Sequence, residues 1–240
     1  FEGKKLLKII LADTAGFCFG VNKAVETAYR AAEECGADNI YTLGELIHNP
    51  YVVEALEKKG VKVIDSPEDI ESGTVIIRSH GVPPKVYENI KHRRLNCIDA
   101  TCPYVKSIQN KVEKYHKMGY TIVIAGDKNH PEVIGINGWC ENSARIVNSE
   151  EEAQSLELKE PICVVAQTTN IKSRFKAICD VISQKYSDVK IFNTICSATA
   201  LRQAEAEEIS SSVDMMIVIG GKNSSNTKKL AEISKEHCKK

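Results

Sequence analysis

The 240-residue sequence lacks the features that mark several large classes of protein. Its charge is balanced, with 32 Lys and Arg against 32 Asp and Glu, so no overall basic field is present to attract nucleic acid or an anionic membrane. No apolar run approaches the roughly 20 residues of a membrane span, and no signal-peptide core with a cleavage site is present. These absences favour an ordinary globular protein, in which any site for an anion must be local.

The short motifs of common cofactor sites are also missing. The chain contains neither a Walker loop nor a G-x-G-x-x-G stretch, and it has no C-x-x-C pair. Its nine cysteines are odd in number and widely scattered, which argues against a secreted disulfide framework in a chain of this size. A reducing compartment is therefore expected. We predict a cytoplasmic protein, and a plastid location stays open if an N-terminal segment has been removed.

Short apolar runs alternate with amphipathic stretches throughout the sequence, which is the pattern of an α/β protein. Apolar residues recur at helical spacing from Asn22 to Cys35, so this stretch is predicted to be a helix. The predicted strands are Lys8–Ala12, Asn39–Leu43, Val61–Ile64, Thr74–Arg78, Tyr120–Gly126 and Met215–Gly221.

Three stretches of the chain repeat one arrangement. "ADTAGFCFGV", "IDATCPYV" and "NTICSATA" each place a cysteine after an apolar run and before a helical stretch. The three cysteines are Cys18, Cys102 and Cys196. Such self-similarity predicts a threefold-repeated α/β unit, with lobes at residues 1–96, 97–188 and 189–240.

Polar loops follow the cysteines at similar distances. "GELIHNP", "GDKNHPE" and "GGKNSSN" place His48, His130 and Ser224 at corresponding positions, and a second correspondence relates His80 to Thr168. Because parallel α/β units gather functional groups at the carboxyl ends of their strands, three such units would share one central cavity. A third counterpart of His80 would fall beyond the last residue, so the third lobe is expected to be incomplete.

Three thiolates at equivalent positions suit a cubane iron–sulfur cluster. Ligation of such a cluster normally uses four cysteines, so a set of three leaves one iron open to a substrate. The alternative for any single cysteine is a small buried hydrophobic residue. We keep that interpretation for the six cysteines that have no repeated counterpart: Cys35, Cys97, Cys140, Cys163, Cys179 and Cys238.

The loop residues allow two interpretations. A pocket suited to a phosphate-like anion can be built from His48, His80, His130, Ser224, Ser225 and Asn226. A zinc site made from the histidines competes with it, and the spacing does not separate the two. Glu132 either complements the dipole of a helix N-terminus or donates protons in the cavity, where burial would raise the pKa of its carboxyl group.

Eight motifs, in order, resemble the family of 4-hydroxy-3-methylbut-2-enyl diphosphate reductases, which act last in the non-mevalonate isoprenoid pathway. They span about residues 8 to 230: "TAGFCFGV", "GELIHNP", "RSHGV", "DATCPYV", "NHPEVIG", "AQTT", "NTICSAT" and "GGKNSSNT". The resemblance implies three α/β lobes in a trefoil around a [4Fe–4S] cluster held by Cys18, Cys102 and Cys196. A further "TAGAS" type motif of the family is absent from this sequence, and the leading "FEGKKLL" departs from the family pattern.

The resemblance also implies roles for the loop residues. His48, His80 and His130 would hold the substrate's diphosphate with Ser224 and Asn226, and Ser225 would be a neighbour in the same loop. Glu132 would feed protons, Thr168 would position the allylic hydroxyl at the open iron, and Thr199 would support the proton network.

The resemblance further implies that a ferredoxin or flavodoxin type protein delivers the electrons and that the products are isopentenyl and dimethylallyl diphosphates. We do not expect the protein to bind nucleic acid or a membrane. Two alternatives stay open: a non-catalytic iron–sulfur redox-sensing module and a zinc-dependent hydrolase.

Overall fold

The computed structural model describes residues 8–34 and 39–238. Its strands are β1 (Ile40–Leu43), β2 (Lys62–Ile64), β3 (Thr74–Ile77), β4 (Asn96–Asp99), β5 (Thr121–Ala125), β6 (Arg145–Val147), β7 (Ile162–Ala166) and β8 (Val189–Phe192). Its α-helices are α1 (Phe19–Glu34), α2 (Pro50–Glu57), α3 (Pro84–His92), α4 (Pro103–Lys117), α5 (Pro131–Gly138), α6 (Glu150–Gln154), α7 (Lys172–Lys185), α8 (Ser197–Ser212) and α9 (Ser225–His237). A short 3₁₀ helix covers Pro67–Asp69.

The strands form two parallel sheets with the same order. The first sheet runs β2-β1-β3-β4 and the second runs β6-β5-β7-β8. The predicted α/β class and its repeated unit are therefore confirmed. β4 leads into Cys102 and pairs with β3 of the first sheet, and β8 leads into Cys196 and pairs with β7 of the second sheet. The predicted lobe boundaries at 96/97 and 188/189 assigned these strands to the following lobe, and the exact division into lobes stays a prediction.

Each sheet is covered by helices on both faces. Every residue of β3 and β7 is buried, as expected for central strands of a parallel sheet between helix layers. Alternate residues of β7 enter different clusters: Val164 packs with α7 residues such as Ile178, whereas Val165 packs with Ile108 of α4. This alternation fixes the register of the strand. Because the strands of each sheet are parallel, the loops after β1 and β3, and those after β5 and β7, open at the carboxyl edge of their sheet.

Two predicted strands are wrong. Lys8–Ala12 and Met215–Gly221 form no strand, and their apolar side chains are open to solvent, with Ile9 82% and Ile219 90% exposed. A strand needs a hydrogen-bonded neighbour, and within residues 8–34 and 39–238 no other strand pairs with either segment. The region that follows Cys196 is built instead from α8 and α9, which pack against each other.

The helix predicted from Asn22 is confirmed as α1, which begins at Phe19, while Cys35 lies outside the described residues. Cys140, Cys163 and Cys179 are buried, as predicted for small hydrophobic residues, and Cys238 is buried as well. Cys97 is exposed, because it lies on β4 at the edge of its sheet, so its prediction as a buried residue is wrong. No helix in the described ranges combines the length and the apolar character needed to cross a membrane.

Candidate functional site

The three repeated cysteines occupy equivalent local settings. Cys18 directly precedes α1, and Cys102 and Cys196 are the N-caps of α4 and α8. The Cys196 thiol accepts a hydrogen bond from the backbone N–H of Thr199 at 3.3 Å, within the first turn of its helix. Helix N-termini favour the thiolate, which is the form that binds metal. All three thiols are partly buried.

The first two cysteine loops are in contact. A Cβ atom on Gly20, in the first turn of α1, would lie 2.5 Å from the Sγ atom of Cys102, so only glycine fits there. Gly16 serves a different purpose, because its φ of +95° is a backbone conformation that glycine adopts freely. Both glycines of "TAGFCFGV" are therefore explained by the geometry around the cysteines.

The third cysteine loop touches the other two. The hydroxyls of Tyr104 and Ser197, each in the first turn of its helix, are 3.0 Å apart and join the Cys102 loop to the Cys196 loop. Arg202 of α8 donates hydrogen bonds to the carbonyl oxygens of Thr14 and Gly16, at 2.9 and 2.7 Å. The three loops thus meet pairwise, although the cysteines are far apart in sequence.

The chemistry of the three thiols bears on what they could hold. Thiolates bind zinc and iron–sulfur clusters, and a set of three leaves one metal position without a protein ligand. Burial raises the pKa of the Cys102 thiol, which opposes its thiolate form, whereas a bound metal favours that form.

The structure brings the three predicted histidines together. His48, His80 and His130 follow β1, β3 and β5, and the distances between their ring centroids are 4.4, 5.3 and 5.5 Å. Their nearest ring nitrogens all lie within 4.8 Å of one another. Loops at the carboxyl ends of strands in two different sheets therefore meet at one cluster.

Burial keeps two of these histidines neutral. It lowers the pKa of His130 to about 4 and lowers the pKa of His80 well below its usual value, and the neighbouring histidines add to both shifts. The buried ring nitrogens His48 Nε2 and His80 Nδ1 have no hydrogen-bond partner in the described part of the chain. These nitrogens are available to a ligand.

Glu132 and Thr168 form a buried pair beside the histidines. Glu132, only 2% exposed, accepts hydrogen bonds from the backbone N–H of Thr168 at 2.6 Å and from its hydroxyl at 2.7 Å. Burial raises the pKa of the Glu132 carboxyl group and outweighs the opposite effect of these hydrogen bonds. The pair is adjacent to the third cysteine, because the Cys196 N–H donates to the carbonyl oxygen of Thr168 at 3.0 Å.

Thr199 contacts the third cysteine, Cys196. Its hydroxyl lies 3.0 Å from the Cys196 Sγ atom, and the residue is buried.

The serine loop lies against the first histidine loop. Gly221 has no room for a Cβ atom because the carbonyl oxygen of His48 occupies that position. Ser224 caps α9 by accepting a hydrogen bond from Thr227, and Ser225 is bonded to the hydroxyl of Thr169 at 2.9 Å. Asn226 follows Ser225 in the first turn of α9.

Two cations that the sequence analysis did not select also approach the histidines. Arg78 lies two residues before His80, and Lys229 lies on α9, four residues after Ser225. The charge of each lowers the pKa of His130. The sequence contained one signal for Lys229. It follows Ser225 by four residues, and residues four apart on a helix lie on the same face.

These elements define a class of protein: an α/β protein that joins three helices, each preceded by a cysteine, to a histidine cluster at the carboxyl ends of its strands. The family model described as LytB protein matches residues 9–240, and the chain belongs to this family. The resemblance drawn from the eight motifs is confirmed by a relative from Thermoanaerobacter sp. (strain X514), named 4-hydroxy-3-methylbut-2-enyl diphosphate reductase. It is 52% identical over 236 residues, which cover 97% of this chain and 82% of the relative.

Solved structures show the same fold. The E-1-hydroxy-2-methyl-but-2-enyl-4-diphosphate reductase from Plasmodium falciparum superposes with a TM-score of 0.89 at 31% identity, over 93% of this chain and 72% of that one. A solved (E)-4-hydroxy-3-methyl-but-2-enyl diphosphate reductase gives a TM-score of 0.71 at 43% identity, over 96% and 84% of the two chains. The trefoil arrangement expected from the resemblance agrees with these structures.

Proposed function

We propose that this protein reduces 4-hydroxy-3-methylbut-2-enyl diphosphate to isopentenyl and dimethylallyl diphosphates. One observation carries the proposal: three helices that each begin directly after a cysteine meet beside a buried carboxyl group and a cluster of three histidines. The names of the relatives support the same activity. The reaction consumes two electrons and two protons, breaks the allylic C–O bond and releases water.

Cys18, Cys102 and Cys196 would hold a [4Fe–4S] cluster. When bound by three thiolates, such a cluster supplies electrons and one iron without a protein ligand. The positions of the three thiols at helix N-termini support this assignment. Thr199 would support the proton network and, through its contact with the Cys196 sulfur, also tune that ligand.

The remaining residues would bind the substrate and move protons. His48, His80 and His130 would donate ring N–H groups to the diphosphate, with Ser224, Ser225 and Asn226 completing the pocket. Thr168 would orient the substrate hydroxyl. Glu132 would donate a proton to that hydroxyl as it leaves, because burial raises the pKa of its carboxyl group and so favours the protonated form.

Electrons would come from a ferredoxin or flavodoxin type protein, and we expect the reaction in the cytoplasm. Anaerobic purification followed by iron and sulfide analysis tests the proposal. We expect a brown protein with labile sulfide that turns over the diphosphate substrate with a reduced viologen donor. A colourless protein with one zinc ion and no sulfide would contradict it.

A zinc-dependent hydrolase is the second candidate, because the three histidine nitrogens lie within 4.8 Å of one another. The electrostatics oppose it. Arg78 and Lys229 both act on His130, and a dication bound by the histidines would add to their positive charge. Zinc titration of the metal-free protein distinguishes the two candidates, since a hydrolase site would bind zinc tightly at the histidines and lose it on His80→Ala substitution.

A further inference from the structure

We propose that Arg78 and Lys229 provide the positive charge of the histidine pocket and bind the diphosphate directly. The inference rests on the proposed function and adds two ligand-binding residues to it. Neither residue is part of the set that the sequence analysis selected.

The histidines alone do not balance the charge of a diphosphate. His80 and His130 are neutral near pH 7, because burial lowers the pKa of each. The serine and asparagine side chains carry no charge either. A multiply charged anion that leaves water for a partly buried pocket needs cations to offset its lost hydration. Cations close to the histidines are therefore the groups to search for.

Lys229 has the environment of such a cation. It is only 7% exposed, and its Nζ atom is buried without a hydrogen-bond partner in the described ranges. Three carboxylates, those of Asp127, Glu132 and Glu232, interact with it electrostatically, yet none accepts a hydrogen bond from it. Burial lowers its pKa to about 8, so the ammonium group stays mainly charged at pH 7. An unpartnered buried ammonium group is costly, and a bound anion would relieve that cost.

Arg78 approaches from the first sheet. Its guanidinium group occupies the position where a Cβ atom on Gly44 would lie, and Gly44 has a φ of +69°. Its Nε atom is buried and, among the described residues, unpartnered. Its charge lowers the pKa of both His80 and His130, which places it near the histidine cluster.

Four buried nitrogen atoms of the histidines and of the two cations that act on them lack a hydrogen-bond partner among the described residues: His48 Nε2, His80 Nδ1, Arg78 Nε and Lys229 Nζ. Most buried polar groups in proteins are hydrogen-bonded, so a group of four exceptions at one place needs an explanation. Two are permanent donors, and the imidazole nitrogens donate in one of their tautomers. An oxygen-rich anion matches all four, and a metal cation does not.

Calorimetric titration of the iron-loaded protein with inorganic pyrophosphate tests the inference. We expect the Lys229→Met and Arg78→Gln variants each to bind pyrophosphate at least about tenfold more weakly, because each loses a charge-assisted contact. Lys229→Arg keeps the charge and is expected to stay within about threefold of the wild type. Lys228→Met removes an exposed lysine next to Lys229 on α9 and serves as the matched control.

Thermal unfolding separates binding from folding. Removing an unpartnered buried cation should leave the Tm of the ligand-free protein unchanged or raise it, while the rise in Tm that pyrophosphate causes is lost. The inference is wrong if the wild type does not bind pyrophosphate, or if both variants bind it as tightly as Lys228→Met. It is also wrong if Lys229→Arg loses as much affinity as Lys229→Met. Pyrophosphate binding does not require turnover, so an inactive protein that binds it with this pattern would overturn the proposed reductase activity alone.

Discussion

The cysteines and the histidines of this protein lie close together in the fold, but their surroundings differ. The Cys196 thiol accepts a hydrogen bond from the backbone N–H of Thr199 in its own helix, and Cys102 is the N-cap residue of α4. At the histidine cluster, two ring nitrogens, the Nε atom of Arg78 and the Nζ atom of Lys229 have no hydrogen-bond partner among the described residues. The cysteine region is thus prepared by local backbone geometry, whereas the histidine region has donors left for an external acceptor.

This difference indicates what each region binds. Three thiols at helix N-termini suit a metal ion or an iron–sulfur cluster. Neutral imidazoles flanked by two cations suit an anion. The Glu132–Thr168 pair lies between them, with hydrogen bonds that lead to Cys196 on one side and to His130 on the other. A substrate held by both regions would need its proton donor at this position.

The largest effect is expected from loss of a thiol. Cys102→Ser should remove most of the bound iron and bring turnover below detection, because a neutral hydroxyl is a poor replacement for a thiolate ligand. Iron analysis measures the bound iron, and an assay with a reduced viologen donor measures turnover. Cys97→Ser is the matched control, since Cys97 is exposed on β4 and lacks a repeated counterpart. Equal iron content in the Cys102→Ser and Cys97→Ser variants would contradict the proposed role of Cys102 as an iron ligand, and with it the proposed difference between the two regions.

A smaller effect is expected at the carboxyl group between the two regions. Glu132→Gln should keep the iron content but lower turnover by about 10²- to 10⁴-fold, the usual contribution of a positioned proton donor. Glu150→Gln is the control, because Glu150 is an exposed glutamate in the first turn of α6. Unchanged turnover of the Glu132 variant would exclude its role as the proton donor.

The histidine region should also make the protein sensitive to acid. His130 has a pKa of about 4 in the folded state and about 6.5 when unfolded, so the unfolded state binds more protons between these values. Stability is therefore lost as the pH falls from 6.5 to 4, by up to about 3 kcal/mol from this residue.

Urea unfolding at several pH values measures this loss. His130→Asn keeps a side chain able to cap α5 and should reduce the slope of stability against pH. His92→Asn, at an exposed position, should not. If both variants show the wild-type slope, His130 is not the buried neutral base that the structure indicates.

Much of this organisation could be predicted from the sequence. The repeat of Cys18, Cys102 and Cys196 with their following loops predicted that distant residues meet, because parallel strands place their carboxyl ends at one edge. Arg78 was not selected, since an arginine beside a strand is most often solvated, and only its burial near His80 distinguishes it. The apolar runs at Ile9 and Ile217 were misassigned because apolar pattern alone does not provide a neighbouring strand.

The sequence alone determined the α/β class, the repeated unit and the residue types of the site, because periodicity and local motifs are encoded along the chain. Only the tertiary structure decided which side chains lose water and which remain unpaired. The low pKa of His130, the raised pKa of Glu132 and the unpartnered ammonium group of Lys229 all arise from packing between elements far apart in sequence. Desolvation depends on everything that surrounds a group in space, so no short stretch of sequence contains it.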